Sequence, residues 1–221
     1  MQLVLSALPD FLRGALNTLI YCGVSFPLAL ILGLVLALLS ASRFVWLQAP
    51  ARFFIEVVRG TPILTQILLL YYGVGAMLVQ FDLSELVNAW VAGIASLALN
   101  YAAYESEVFR AGLASVDRGQ NEAALSLGLT GEQSFTRIIL PQAIPLMIPP
   151  LVNDFIYMLK DSAIVSVIAG TDLTSVMQFW TIRNSSNPLP LFGLALLLYL
   201  GMSLPIAWLG RYFERRLRAA L

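Results

Sequence analysis

Two short runs carry the polar chemistry of an otherwise apolar chain. In NYAAYESEVFR, at 100–110, Asn100, Tyr104 and Glu107 fall near one helical face, with Ala103 beside them. In NDFIYMLKDSAIVSV, at 153–167, Asp154, Tyr157 and Asp161 recur at intervals of three and four and share a face, with Lys160 and Asn153 on the neighbouring one. A carboxylate sunk into an apolar stretch is costly unless it meets water, a partner or a ligand. Asp154 therefore reads either as a cavity group facing a solute or as half of a structural pair with Lys160 or an arginine of another helix. Asn100 and Tyr104 read as a polar surface lining a path. Glu105, Glu107 and Arg110 read as charges at the headgroup level, with Glu107 reaching Arg110 at i+3.

Composition excludes most other chemistry. There is no histidine, so imidazole catalysis and the usual zinc sites are absent. The single cysteine, Cys22, sits in an apolar run and supports neither a disulfide framework nor a thiolate metal cluster. Thirteen Lys+Arg cancel thirteen Asp+Glu, which leaves no global field for nucleic acid. No positioned base or metal set points to an enzyme with its own catalytic centre.

The elements that must position those runs are membrane helices. Of 221 residues, 59% are hydrophobic and 12% charged, against about 25% charged in soluble domains, and the mean hydropathy is +0.81. Long apolar runs without polar alternation favour helices over a barrel. The reading is an all-α membrane protein, one transmembrane domain over 1–221, with five transmembrane helices near 14–38, 57–79, 87–110, 145–169 and 189–209. The first stretch is too long for a signal segment and lacks a basic flank, so it reads as a retained helix. Arginines gather at Arg43, Arg52 and Arg59, at Arg110, Arg118 and Arg137, and at Arg211, Arg215, Arg216 and Arg218. Arg13 and Arg183 stand elsewhere, among Asp10, Asp82, Glu85 and Asp172. Basic flanks stay cytoplasmic. That places the N-terminus outside and the C-terminus inside, with the tail arginines against membrane lipid.

Prolines and a long connection break the pattern. Pro141, Pro145, Pro149 and Pro150 crowd the entry to the fourth span and predict a bent or partly unwound start. Pro27 and Pro205 predict kinks in the first and last spans. RGTP at 59–62 reads as the start of the second span, with Pro62 in the first turn. The connection at 111–140 reads as a compact helical loop between the third and fourth spans. Gln120–Leu127 is a good helix former that Gly128 ends. Thr130 with Gln133 matches a capping box for a second short helix that stops before Pro141. Ala123 and Ala124 permit close approach, and Leu125, Leu127, Leu129, Phe135 and Ile138 offer apolar contact. The loop either docks into a groove on a partner or packs back on its own chain.

The loop resembles the EAA loop of importer-type ABC transporter permeases. Glu122, Ala123 and Ala124 are followed at the family spacings by Gly128, Ile138, Leu140 and Pro141. RGTP at 59–62, AAY at 102–104, SVDRGQNEAA at 115–124, IILPQA at 138–143, IPPLVNDFI at 148–156 and LKDSAIVSVI at 159–168 resemble the polar amino acid uptake subfamily, over roughly residues 10–215. The chain carries Asp154 where that subfamily often has glutamate, and KDSAI at 160–164 where KDTSL is usual.

The resemblance implies the permease subunit of an ATP-driven importer in the bacterial inner membrane, moving a polar amino acid by alternating access. It pairs as a homodimer or with a related subunit. Its loop, through Glu122, Ala123, Ala124, Gly128, Leu129 and Phe135, docks on cytoplasmic ABC ATPase subunits. ATP and Mg are used by that ATPase, with no cofactor or metal held by this chain, and a periplasmic amino-acid-binding protein delivers the cargo. Asn100 and Asp154 are the expected ligand contacts, and Thr61, Pro62, Tyr104 and Tyr157 shape the same cavity. A secondary carrier that uses Asp154 for ion coupling and a non-transporting scaffold are the competing readings. The cargo is either a zwitterion or an amino acid with a cationic side chain.

Overall fold

The computed structural model describes residues 2–83, 88–184 and 186–218, without the side chains of 217 and 218. Glu85, Val87 at the start of the expected third span, and the side chain of Arg218 lie outside the described residues.

The described chain is helical, as apolar runs without water to satisfy the backbone require. Helix α1 spans Gln2–Ser40 and stays helical through Pro9 and Pro27. Helix α2, Val45–Arg59, is amphipathic and was not anticipated. Its buried stripe is Ala51, Ile55 and Val58, at spacings of four and three, and it packs on α1 and α4. Helix α3 is Ile63–Gln80, with a π turn at Leu69–Val74. Helix α4 is Ala89–Ala114, α5 is Arg118–Ser126 and α6 is Gly131–Ile168. Helix α7, Leu173–Arg183, was also unread in the sequence, and α8 is Leu189–Arg218.

The structure corrects the expected span count. Among the described residues, four helices, not five, are long and apolar enough to cross a membrane: α1, α3, α6 and α8. The helix expected as the third span, α4, is long but does not reach that apolarity. Its composition explains why. It is rich in Ala, Gly and Ser and carries Asn100, Glu105, Ser106, Glu107 and Arg110. Such a surface suits close packing against protein rather than lipid, and α4 buries residues from Ala92 to Gly112 against α1, α2, α3 and α6. The placement of the N-terminus outside and the C-terminus inside was read from the arginines, and an even number of such helices no longer adds support to it.

Two apolar clusters hold the bundle. One joins Tyr21, Cys22 and Ala29 of α1 to Leu97 and Tyr101 of α4 and Met158, Leu159 and Val165 of α6, and Tyr21 stacks on Trp90 at 4.2 Å. The other joins Ala7, Phe11 and Ala15 to Leu173 of α7 and Leu191 and Ala195 of α8. Helix α7 is pinned by its cap. Asp172 accepts from the backbone N–H of Thr174 at 2.9 Å and of Ser175 at 3.2 Å, and the Leu173 N–H reaches Thr18 Oγ1 at 3.1 Å.

At Gly33 the α1–α4 seam depends on a missing side chain. A Cβ on Gly33 would lie 2.8 Å from Glu105 Cβ and 3.0 Å from the carbonyl of Ala102. Gly33→Leu is expected to cost about 1–3 kcal/mol by forcing the helices apart, read as a lower melting temperature of the purified protein in detergent. An unchanged melting temperature would show that the seam yields. Glu105 itself is fully buried there, and neither carboxylate oxygen has a hydrogen-bond partner among the described residues. It does not sit with exposed charges at the headgroup level. Only Glu107 and Arg110 pair as expected, with Arg110 Nε 3.0 Å from Glu107 Oε2.

The proline-rich entry also differs from expectation. Residues 140–161 are α-helical through Pro145, Pro149 and Pro150. The irregularity falls on either side, as a π turn at Phe135–Ile139 and a 3-10 stretch at Ser162–Ile168. The wider turn precedes Pro141, where a missing N–H would otherwise interrupt the ladder. The second loop helix therefore does not stop before Pro141 but runs on into α6.

Candidate functional site

A cavity of about 310 Å³ opens where α3, α4 and α6 meet. Thr61, Pro62, Asn100, Tyr104, Asp154 and Tyr157 all line it, so the six residues singled out from sequence come together from three separated segments. Ile63, Tyr101 and Asp161 complete the wall. Asp161 shares the face of Asp154 and was visible on that ground. Tyr101 had no signal beyond its place next to Asn100.

The wall is strongly accepting. Asp154 has no hydrogen-bond or ion-pair partner among the described residues, so neither Lys160 nor an arginine neutralises it as the structural-pair reading required. Lys160 Nζ lies over the Tyr157 ring instead, 5.5 Å from its centroid. Asp161 Oδ2 accepts the Tyr101 hydroxyl at 2.8 Å. Asn100 donates through Nδ2 to Gln66 Oε1 at 3.0 Å.

The backbone at 59–62 makes room for this wall. Helix α2 ends at Arg59 and α3 starts at Ile63, with Pro62 as the extended residue before it rather than in its first turn. Thr61 does not cap α3. Its hydroxyl donates back to the carbonyl of Val57 at 2.8 Å. Irregular backbone of this kind is tolerated at membrane depth where it lines a cavity.

A second cleft of about 490 Å³ begins where the first ends. The two share Tyr104 and Asp154. The second continues along Glu107, Ala111 and Ser115 toward the loop helices, flanked by Leu146 and Pro150. Arg59 lies over the Tyr104 ring at 5.5 Å, at the junction.

The loop is built by local chemistry. Asp117 caps α5 through the Gly119 N–H at 2.6 Å. Gly128 takes φ +83°, with its N–H bonded to Leu125 and that of Leu129 bonded to Ala124, the two bonds of a Schellman turn. Thr130 and Gln133 form the reciprocal capping box, at 3.0 and 3.2 Å. Ser134 Oγ donates to Asn121 Oδ1 at 2.7 Å and ties α5 to α6. Of the residues singled out here, Ala124 is buried, Leu129 half-buried, and Glu122, Ala123, Gly128 and Phe135 exposed. Leu127, at 84% exposure, is the most prominent apolar group of the loop. Among the described residues no group of three or more His, Cys, Asp or Glu side chains is placed to hold a metal ion.

Residues 29–219 match the family described as binding-protein-dependent transport system inner membrane component. The chain belongs to that family. The permease superimposes on a chain in the crystal structure of an amino acid ABC transporter with histidines, with TM-score 0.88, 38% identity and 96% of each chain covered. An inward-facing methionine ABC transporter shares its fold, with TM-score 0.72 at 18% identity over 94% of this chain and 95% of that one. An arginine transport system permease protein of Bacillus subtilis is 36% identical over 217 residues, covering 96% of this chain and 94% of that protein. A putative glutamine transport system permease protein of Rickettsia typhi is 34% identical over 206 residues, covering 93% and 92%. This permease is a multi-pass protein of the bacterial inner membrane.

Proposed function

We propose that the chain is the transmembrane permease of an ATP-driven amino-acid importer, and that the cavity between α3, α4 and α6 holds the cargo in transit. Asp154 carries the second half of this reading. It is a carboxylate at membrane depth with no partner among the described residues, in a wall shared with Asp161 and Asn100. The ligand chemistry that satisfies such a wall is an ammonium or guanidinium group. Relatives named for arginine and glutamine transport are consistent with an amino-acid cargo.

The energy source is a separate protein. The chain's one lysine is Lys160, and it has no G-x-x-x-x-G-K-[ST] segment. Cytoplasmic ATPase subunits hydrolyse ATP, a periplasmic binding protein delivers the cargo, and a second permease subunit completes the assembly. The loop at 111–140 is the handle on which the ATPase pulls. Leu125, Leu127 and Phe135 are its exposed apolar contacts and Glu122 its polar one.

Continuity of α6 turns that pull into a cavity motion. From Gly131 to Asp154 the helix runs on through its π turn, a lever of about 35 Å at 1.5 Å per residue. One end is tied to α5 through Ser134 and Asn121, and the other carries Asp154 and Tyr157 into the cavity wall. ATP biases the equilibrium between outward- and inward-open states only by binding them differently, and the loop is where that difference enters.

The cargo reading is tested by binding radiolabelled amino acids to the purified permease–ATPase complex without binding protein. Arginine and lysine are expected to bind more tightly than glutamine, and glutamine more tightly than glutamate. Glutamate binding as tightly as arginine would overturn the assignment of the cavity.

A further inference from the structure

A residue outside the cavity wall controls what the wall presents. Pro62 has no N–H, so the carbonyl of Val58, four residues earlier, lacks its ordinary helical donor. Gln66 supplies it: Nε2 lies 2.8 Å from the Val58 carbonyl, 3.1 Å from the Thr61 carbonyl and 2.9 Å from Thr61 Oγ1. The Thr61 hydroxyl sends its own proton to Val57, so it too meets Gln66 as an acceptor. All three neighbours accept, and the two carbonyls can do nothing else. The Gln66 amide therefore has one orientation, with nitrogen toward the broken backbone and oxygen toward α4.

That orientation fixes a second amide. Gln66 Oε1 receives Asn100 Nδ2 at 3.0 Å. Asn100 is buried except where it lines the cavity, and its Oδ1 accepts no hydrogen bond among the described residues. With one Nδ2 hydrogen held by Gln66 the amide does not flip, and Oδ1 is left as its unpaired acceptor. Of the wall's hydroxyls, those of Thr61 and Tyr101 direct their protons to Val57 and Asp161. Tyr104 and Tyr157 remain able to donate or accept.

We propose that Gln66 is a specificity-determining positioning residue: by donating to the backbone carbonyls freed at Val58 and Thr61, it locks Asn100 with its oxygen facing the cavity, so that the wall selects a donor-rich cationic group over a neutral amide. This rests on the cavity being the cargo site. Gln66→Leu keeps the bulk but frees Asn100 to turn its NH₂ inward.

The test measures dissociation constants of arginine and glutamine for the purified permease–ATPase complex. Gln66→Leu is expected to reduce the arginine-over-glutamine preference about tenfold, the scale of one hydrogen bond to a charged group. Adding Asn100→Asp to that variant is expected to restore the preference, since a carboxylate presents oxygen whichever way it turns. A purely structural role for Gln66 would weaken both ligands together without rescue by Asn100→Asp, and that result overturns the proposal. Unchanged binding of both amino acids in Asn100→Ala and Asp154→Asn would instead remove the cavity as the cargo site, and this inference with it.

Discussion

Asp154→Asn is expected to weaken arginine binding to the permease–ATPase complex by about 10- to 100-fold, because a hydrogen bond to a charged group is worth about 1.5–3 kcal/mol. The substitution is nearly isosteric and removes only the charge. The effect should be large because no side chain among the described residues compensates Asp154, which under the proposed cavity assignment leaves the cargo cation as its counterion. Glutamine binding should fall less when its α-ammonium is the only positive group available. Asn153→Ala is the control. Asn153 is exposed one position away and does not line the cavity, and its loss should leave affinity unchanged. Equal affinity for arginine in wild type and Asp154→Asn would mean that the carboxylate faces something other than cargo.

Gly128→Val is expected to disconnect the permease from its ATPase while leaving insertion intact. The reason is backbone strain, not crowding. Gly128 has φ +83°, and a Cβ placed on it would meet nothing within 4 Å. A left-handed conformation costs a residue with a side chain about 1–2 kcal/mol, and a β-branched one is still harder to seat. Relief comes from opening the Schellman turn, which redirects Leu127 and separates α5 from the capping box that starts α6. Co-purification of the ATPase, or cargo-stimulated ATP hydrolysis, should drop by about 5- to 30-fold for a loss on that energy scale. Gly128→Asn should retain most coupling, because asparagine visits the left-handed region readily. Gly131→Ala should be neutral, because that glycine has open space and no positive φ. Normal coupling by Gly128→Val would rule out the loop as the rigid connection.

These two residues differ in how far the sequence alone reveals them. The Gly128 stop and the Thr130–Gln133 capping box were legible, because helix caps and a left-handed glycine are local, whereas the Asp117 cap and the run of the second loop helix through Pro141 were not. Gly128, Thr130 and Gln133 satisfy backbone groups within a few positions of themselves, so their spacing is their structure. The polar faces carrying Asn100, Tyr104, Asp154 and Tyr157 were legible for the same reason, since helical periodicity assigns a face without knowing what lies opposite.

What lies opposite was decided by tertiary packing. Nothing in the spacing of Asn100 and Gln66, 34 residues apart, indicates that they meet, or that a proline's missing N–H determines which end of an amide faces the cavity. Hydropathy counted α4 as a span because its charges cluster near one end. The folded chain wraps that small-residue helix in its own neighbours, so its surface is matched to side chains instead of lipid. The isolation of Asp154 likewise emerges only in three dimensions. Lys160 is close in sequence, but its position on the helix turns it toward the Tyr157 ring. Local hydrogen bonding, periodicity and family membership belong to the sequence. Which polar groups remain unpaired depends on every helix that packs around them, and only the assembled bundle sets that.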